Sequence, residues 1–241
     1  SIEKLGYIPS IAARRMSGSR SYLIMALNDR DRTIADWQAR QGADWVDQML
    51  LGGMLKCAES GYRMIIELVD THSDHVEREL NAALVALQPD GVILTPPHSE
   101  NPLITGLLEK RGVAFARIGA GSEGAGVSLV MDDEGAAQLA TQHLIDLGHR
   151  RIGFIAGSPE YQLSGWREAG WRSAMQRAAL STEGLCEGGD FSYEAGMAAA
   201  VKLLGSKHRP TAIIASNDQM AMATLDAAAE RGLAVPFDLS V

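Results

Sequence analysis

Short apolar runs alternate along the chain with stretches whose apolar residues recur every three or four positions. Leu23-Ile24-Met25-Ala26-Leu27 has no polar break and ends at Asn28-Asp29, as a buried parallel strand does. Val46, Met49, Leu50, Gly53, Met54 and Cys57 come next at helical spacing, stopping at Gly61. Arg63 to Val69 predicts a strand. Asp74 with Glu77 resembles a capping box opening a helix that carries Val76, Leu80, Ala83, Leu84 and Leu87 on one face. A strand over 91–95, a helix over 102–111, strands over 113–118 and 127–131 and a helix over 134–147 complete a first series. A second begins with a strand over 152–156 and a helix over 164–179, then has no clear pattern up to Gly189. A helix over 193–204, a strand over 211–215, a helix over 218–231 and a last strand near Leu239 finish it. Strands alternating with helices of this length imply parallel sheets covered on both faces. The expected fold class is α/β, with two doubly wound parallel-sheet lobes.

Composition adds little to this. The chain has 241 residues, 46% hydrophobic and 22% charged, which is ordinary globular composition with ample core material. It has no run of ~18 apolar residues of the kind that spans a bilayer. Cys57 and Cys186 are far apart and in no CxxC pattern, so neither a disulfide framework nor a cysteine zinc site is expected. The chain starts at Ser1 and stops in an apparent strand, and it reads as a fragment.

Charge is informative once split by position. Lys4, Arg14, Arg15 and Arg20 against Glu3 give residues 1–20 a net +3, in a chain whose total is −8. The rest is therefore acidic, and only this arm suits a polyanion. On charge alone, a solvated basic tail is the simpler account.

Gly119-Ala120-Gly121-Ser122-Glu123-Gly124 matches GxGxxG after a strand, but a dinucleotide site needs a helix next. Val127 onward reads as another strand, so the motif is expected to be a connecting loop. His72, Asp74 and His75 lie in a polar turn, and His143 and His149 do not share a helix face, so no metal is expected. Capping accounts for at least one of Asp132, Asp133 and Glu134. No GxSxG, P-loop or HExxH pattern is present and no nucleophile–base pair assembles; neither an enzyme nor a cofactor is expected. What remains is polar residues at strand carboxyl ends, where open parallel sheets bind ligands. These are Asn28 and Asp29, then Pro97-His98-Ser99, then Asn217 and Asp218. Asn217 serves equally well as a helix cap.

Several blocks, taken together, resemble one family. Leu5-Gly6-Tyr7-Ile8-Pro9-Ser10-Ile11-Ala12-Ala13-Arg14-Arg15-Met16 is similar to the hinge of the lactose-repressor (LacI/GalR) family, typically LGYxPNxxARxL. His143 to Ile152 resembles its HLIxLGHRRI, and Arg167-Glu168-Ala169-Gly170-Trp171 its RxxG(F/W). Pro210 to Asp218 resembles PTAIxAxND, and Val235 to Val241 resembles VPxDxSV. The blocks run through the whole chain in order.

The resemblance implies a cytoplasmic transcriptional regulator, a repressor in type, with a periplasmic-binding-protein-like core. Its small-molecule effector, a sugar or sugar derivative, would bind between two lobes, and a homodimer would hold operator DNA. It implies a hinge and DNA-proximal arm over 1–20, a first lobe over 21–149 and an incomplete second lobe over 150–241. The family's helix-turn-helix would precede residue 1, and its last segment would come after Val241. Pro9, Ser10, Ala13, Arg14 and Met16 match the DNA-contacting hinge. Ser10 stands where asparagine is usual, and Met16 replaces the leucine wedge with another accepted intercalating side chain. Seven residues fall short of the ~12–15 an isolated helix needs, so the hinge is expected to order only against DNA or a partner.

The effector site implied by resemblance comprises Arg167, Asn217, Phe191 and Asp132. Asn28, Trp45 and His98 join it by position in the fold. Arg167 corresponds to the family's effector anchor, and its loss is expected to spare the fold. Phe191 falls where a purine-binding relative stacks an aromatic, and here would cover a sugar face. The competing readings are a periplasmic solute-binding protein of the same fold and a Rossmann-type enzyme. The basic arm argues against the first, the failed glycine motif against the second.

Overall fold

The computed structural model describes residues 20–39, 44–121 and 123–241. Pro9, Ser10, Ala13, Arg14, Met16 and the expected hinge helix lie outside them. The chain divides into two compact units, one ending at Leu129 and the other running from Val130 to Val241.

The first unit runs β1 (Leu23–Asp29), α1 (Arg30–Ala39), α2 (Asp44–Glu59), β2 (Arg63–Val69), α3 (Val76–Leu87), β3 (Gly91–Leu94), α4 (Pro102–Lys110), β4 (Ala114–Ile118), β5 (Val127–Leu129). A short 3-10 turn, His98–Glu100, precedes α4. The strands form one parallel sheet in the order β2-β1-β3-β4-β5. Met25, Leu27, Val92 and Leu94 of the central strands pack on Leu80 and Leu84 of α3 and on Ile104 and Leu108 of α4. Asn101 caps α4, its side chain accepting from the Leu103 and Ile104 amides at 3.0 and 3.4 Å, with Pro102 in the first turn.

Two local expectations fail here. Asp74 does not cap α3, because the helix starts one residue later with His75 at the cap position and no side-chain bond. Among its described side chains α1 buries only Thr33, so apolar periodicity does not signal it. Its start is set by Asp29, whose Oδ1 accepts the Arg32 amide at 3.0 Å. The glycine motif does connect two strands, β4 to β5, and the Gly119 amide donates to the Leu129 carbonyl at 2.9 Å.

The second unit runs α5 (Asp133–Asp146), β6 (Ile152–Ala156), α6 (Gln162–Arg177), β7 (Cys186–Gly188), α7 (Tyr193–Gly205), β8 (Ala212–Ala215), α8 (Asp218–Glu230). Its parallel sheet has the order β7-β6-β8. One face packs Ile152 and Phe154 on Trp171 and Met175, with the Phe154 and Trp171 rings stacked at 5.4 Å. The other packs Ile155 and Ile213 on Leu203, Met220 and Ala227. β7 occupies part of the stretch that had no sequence pattern, since Cys-Glu-Gly is too short to alternate. The strand expected near Leu239 reduces to a single bridge, Ser240 to Ala212.

With the compact units dividing between Leu129 and Val130, α5 falls in the second unit. α5 lies against α6, so closely that a Cβ on Gly170 would sit 2.2 Å from the Glu134 carbonyl and 2.9 Å from Ala137. Periodicity gives α5 an apolar face but does not say which sheet that face covers. Among the described residues no helix is long and apolar enough to cross a membrane.

Candidate functional site

In a doubly wound sheet, ligands bind outside the strand carboxyl ends where the order reverses. The second unit reverses between β6 and β8, and the sequence motifs converge there. Gly170 lets α6 approach α5, and Arg167, one turn earlier on α6, reaches Asp133 at the start of α5. Its Nε donates to Asp133 Oδ1 at 2.8 Å and its Nη2 lies 2.7 Å from the same oxygen. Its Nη1 donates to the Ser216 carbonyl just past β8. Ser216 is held in turn by its hydroxyl, which donates to the Ile155 carbonyl of β6 at 2.8 Å. A guanidinium has five N–H groups. Three are accounted for in these bonds, and the planar fork stays rigid with two more to offer.

Asn217 serves as a cap and more. Its Oδ1 accepts the Met220 amide at 3.1 Å, opening α8, while its Nδ2 donates to the Phe191 carbonyl at 2.8 Å. Phe191 has φ 75°, a left-handed conformation that is costly for a residue with a Cβ. Its ring stacks on Tyr161 at 5.5 Å and is largely buried. Gly157, at the end of β6, is needed there because a Cβ would lie 2.0 Å from the ring. Asp132 is exposed and caps α5 through the Gly135 amide at 2.9 Å. Its neighbour Asp133, only 6% exposed at its side chain, is the carboxylate that meets Arg167. Three acids in a row marked a helix start in the sequence; which one points at α6 depends on how the helices pack.

The first unit reverses between β1 and β3. Asn28 is buried at the end of β1, its Oδ1 3.3 Å from the hydroxyl of Thr95, just past β3. His98 is fully buried, with Nε2 2.8 Å from the Thr71 hydroxyl, which donates to Asp29 Oδ2 at 2.7 Å. Burial pushes the His98 pKa down, opposed by the Asp29 charge. Burial also pushes Asp29 up, but it is outweighed by hydrogen bonds from Thr71 and the Arg32 amide, which hold the carboxyl below 3.8. The Thr71 hydroxyl spends its one hydrogen on Asp29, so its oxygen accepts from His98 Nε2, and burial disfavours the charged imidazole. Trp45 stands half-exposed at the start of α2. Asp29 was legible as a polar strand end; Thr71 carried no signal.

Two doubly wound parallel sheets, with polar side chains gathered at their reversal points, define a periplasmic-binding-protein-like effector domain. A family profile described as "Periplasmic binding protein-like domain" matches residues 141–241. The regulator CelR of Thermobifida fusca is 31% identical over 251 residues, covering the whole of this chain and 69% of the relative. The HTH-type transcriptional repressor PurR of Erwinia tasmaniensis is also 31% identical, covering the whole chain and 68% of the relative. The solved structure described as a CelR–cellobiose complex superposes with TM-score 0.79 at 28% identity, over all of this chain and 70% of that one. The chain belongs to the LacI family of transcriptional regulators. The relatives are regulators rather than enzymes, which favours the regulator over both competing readings.

Proposed function

We propose that this chain is the effector-sensing part of a cytoplasmic LacI-family repressor whose effector is an uncharged sugar. The observation that carries the reading is Arg167, fixed at the β6/β8 reversal with two N–H groups beyond those bonded to Asp133 and Ser216. Asp133 neutralises its charge, so the fork suits the lone pairs of hydroxyls better than it suits an anion. Asn217 borders the same strand ends, while the Phe191 ring, expected from sequence to cover a sugar face, is buried on Tyr161 and supports the site from beneath instead. Asn28 and Trp45 stand at the ligand edge of the first unit, with His98 as a buried support. The solved relative bound to cellobiose supports the same ligand class.

The arm over 1–20 would contact operator DNA, with Pro9, Ser10, Ala13, Arg14 and Met16 as its hinge. A homodimer fits the two-fold symmetry of operators. It also fits α2, which buries Leu50 and exposes Leu51, Met54 and Leu55 on its outer side. An effector shifts such a regulator by binding its two conformations unequally.

Calorimetric titration of the complete protein with a sugar panel identifies the effector, and Arg167→Met then tests the site. Charge-assisted bonds of ~1.5–3 kcal/mol predict a loss of one to two decades in affinity. Undiminished binding by the variant removes Arg167 from the site.

A further inference from the structure

α1 is built inside out. Its inward side holds Thr33, which is buried, and its first turn is tied down by Arg30, 2.7 Å from Glu79 Oε2. Its large apolar side chains face solvent instead, with Ile34 40% and Trp37 50% exposed. The helix leaves the carboxyl end of β1 directly and packs against β1 and β2, so it stands at the ligand edge of the first unit. The chain has only four tryptophans, and two of them, Trp37 and Trp45, are half-exposed and flank residues 40–43.

An indole of this kind at a ligand edge has a natural occupant. A pyranose ring has an apolar C–H face about the size of one indole, with hydroxyls around its rim. Asp31 and Gln38, both exposed on the same helix, supply polar groups for such a rim. Ile34 and Trp37 alone are far too little surface for a stable protein interface, which takes ~800 Å² from each partner.

We infer that Trp37 is a specificity-determining residue that stacks on a second sugar ring, so that the effector is a disaccharide or longer rather than a monosaccharide. The inference rests on the sugar reading above and narrows it. Within the first unit, the strand end at Asn28 takes one ring and the second extends over α1.

The test is calorimetry on the complete regulator with cellobiose, maltose and lactose, each beside its component monosaccharides glucose and galactose, for wild type, Trp37→Ala and Trp37→Phe. A disaccharide is expected to bind wild type. Trp37→Ala should weaken it roughly three- to tenfold, the range of an aromatic stacking contact. Trp37→Phe should retain most of the affinity, and monosaccharide binding should not change. Equal losses for mono- and disaccharides, or no loss for any disaccharide bound, would overturn the inference and leave the sugar reading standing. Conversion of Trp37→Ala to a monomer in sedimentation would also overturn it, by making this face a subunit contact. Binding of no sugar in the set would overturn the sugar reading along with it.

Discussion

His98, Thr71 and Asp29 form a short relay under the ligand edge of the first unit, and its charge state sets a direction for acid stability. His98 holds its proton less tightly folded than free. Below about 6.5 the unfolded chain takes up a proton that the folded chain resists, so stability falls as pH drops through that value. Asp29 is held below 3.8, so its contribution is present above that value and is lost as pH falls further. The melting temperature should decline in acid, and His98→Gln should flatten the decline below about pH 6.5. Identical slopes for variant and wild type would remove His98 from the cause. Arg167 has a second consequence at this scale. Removing it strands the buried Asp133 carboxylate, so Arg167→Met should cost about 2–3 kcal/mol of stability. The pairing with Asp133 thus predicts a cost to the fold where the sequence reading expects little. Arg167→Met with Asp133→Leu should recover most of the loss in denaturant titration, because no buried charge is left unpaired.

At the scale of elements, the helix pair α5 and α6 sets the position of Arg167 and so of the proposed site in the second unit. Gly170 is the contact that permits it, with the Glu134 carbonyl where a Cβ would be. Gly170→Ala should force the helices apart at ~1–3 kcal/mol, a fall of roughly 2–4 °C in melting temperature for each kcal/mol. Because Arg167 sits one turn away, effector affinity should fall as well. A variant with unchanged stability and affinity would show that the pair tolerates separation. Most elements were legible because their apolar residues face a core at a regular period. α1 was not, since its apolar residues face outward, and β7 was not, since three residues carry no period. The glycine motif was legible from the apolar run after it, a strand in the place where a phosphate site would need a helix N-terminus.

At the scale of the molecule, the outer side of α2 bears on the proposed dimer. Leu51, Met54 and Leu55 are exposed there, three and four residues apart. Leu55→Lys in the complete protein should shift sedimentation toward monomer and weaken operator binding. A persistent dimer would place the interface elsewhere. The proposed binding of operator by the basic arm predicts that operator affinity of the complete protein falls with salt, because its cations would release counterions from the backbone phosphates; a salt-independent affinity would remove the arm from the contact.

The sequence by itself determined the class of protein. Alternation of apolar runs and helical periods is local information, and it sufficed for two parallel-sheet units, while the motif blocks sufficed for the family and for Arg167 and Asn217 as residues of interest. Tertiary structure decided what those residues touch. That α5 belongs with the second unit, and that Asp133 rather than Asp132 meets Arg167, come from how closely two helices approach at one glycine. That His98 is buried on Thr71, and that Trp37 is left outside, come from which side of a strand end or helix the rest of the chain covers. Period and composition carry the direction of a side chain only within its own element, so contacts across elements appear only when the elements are packed.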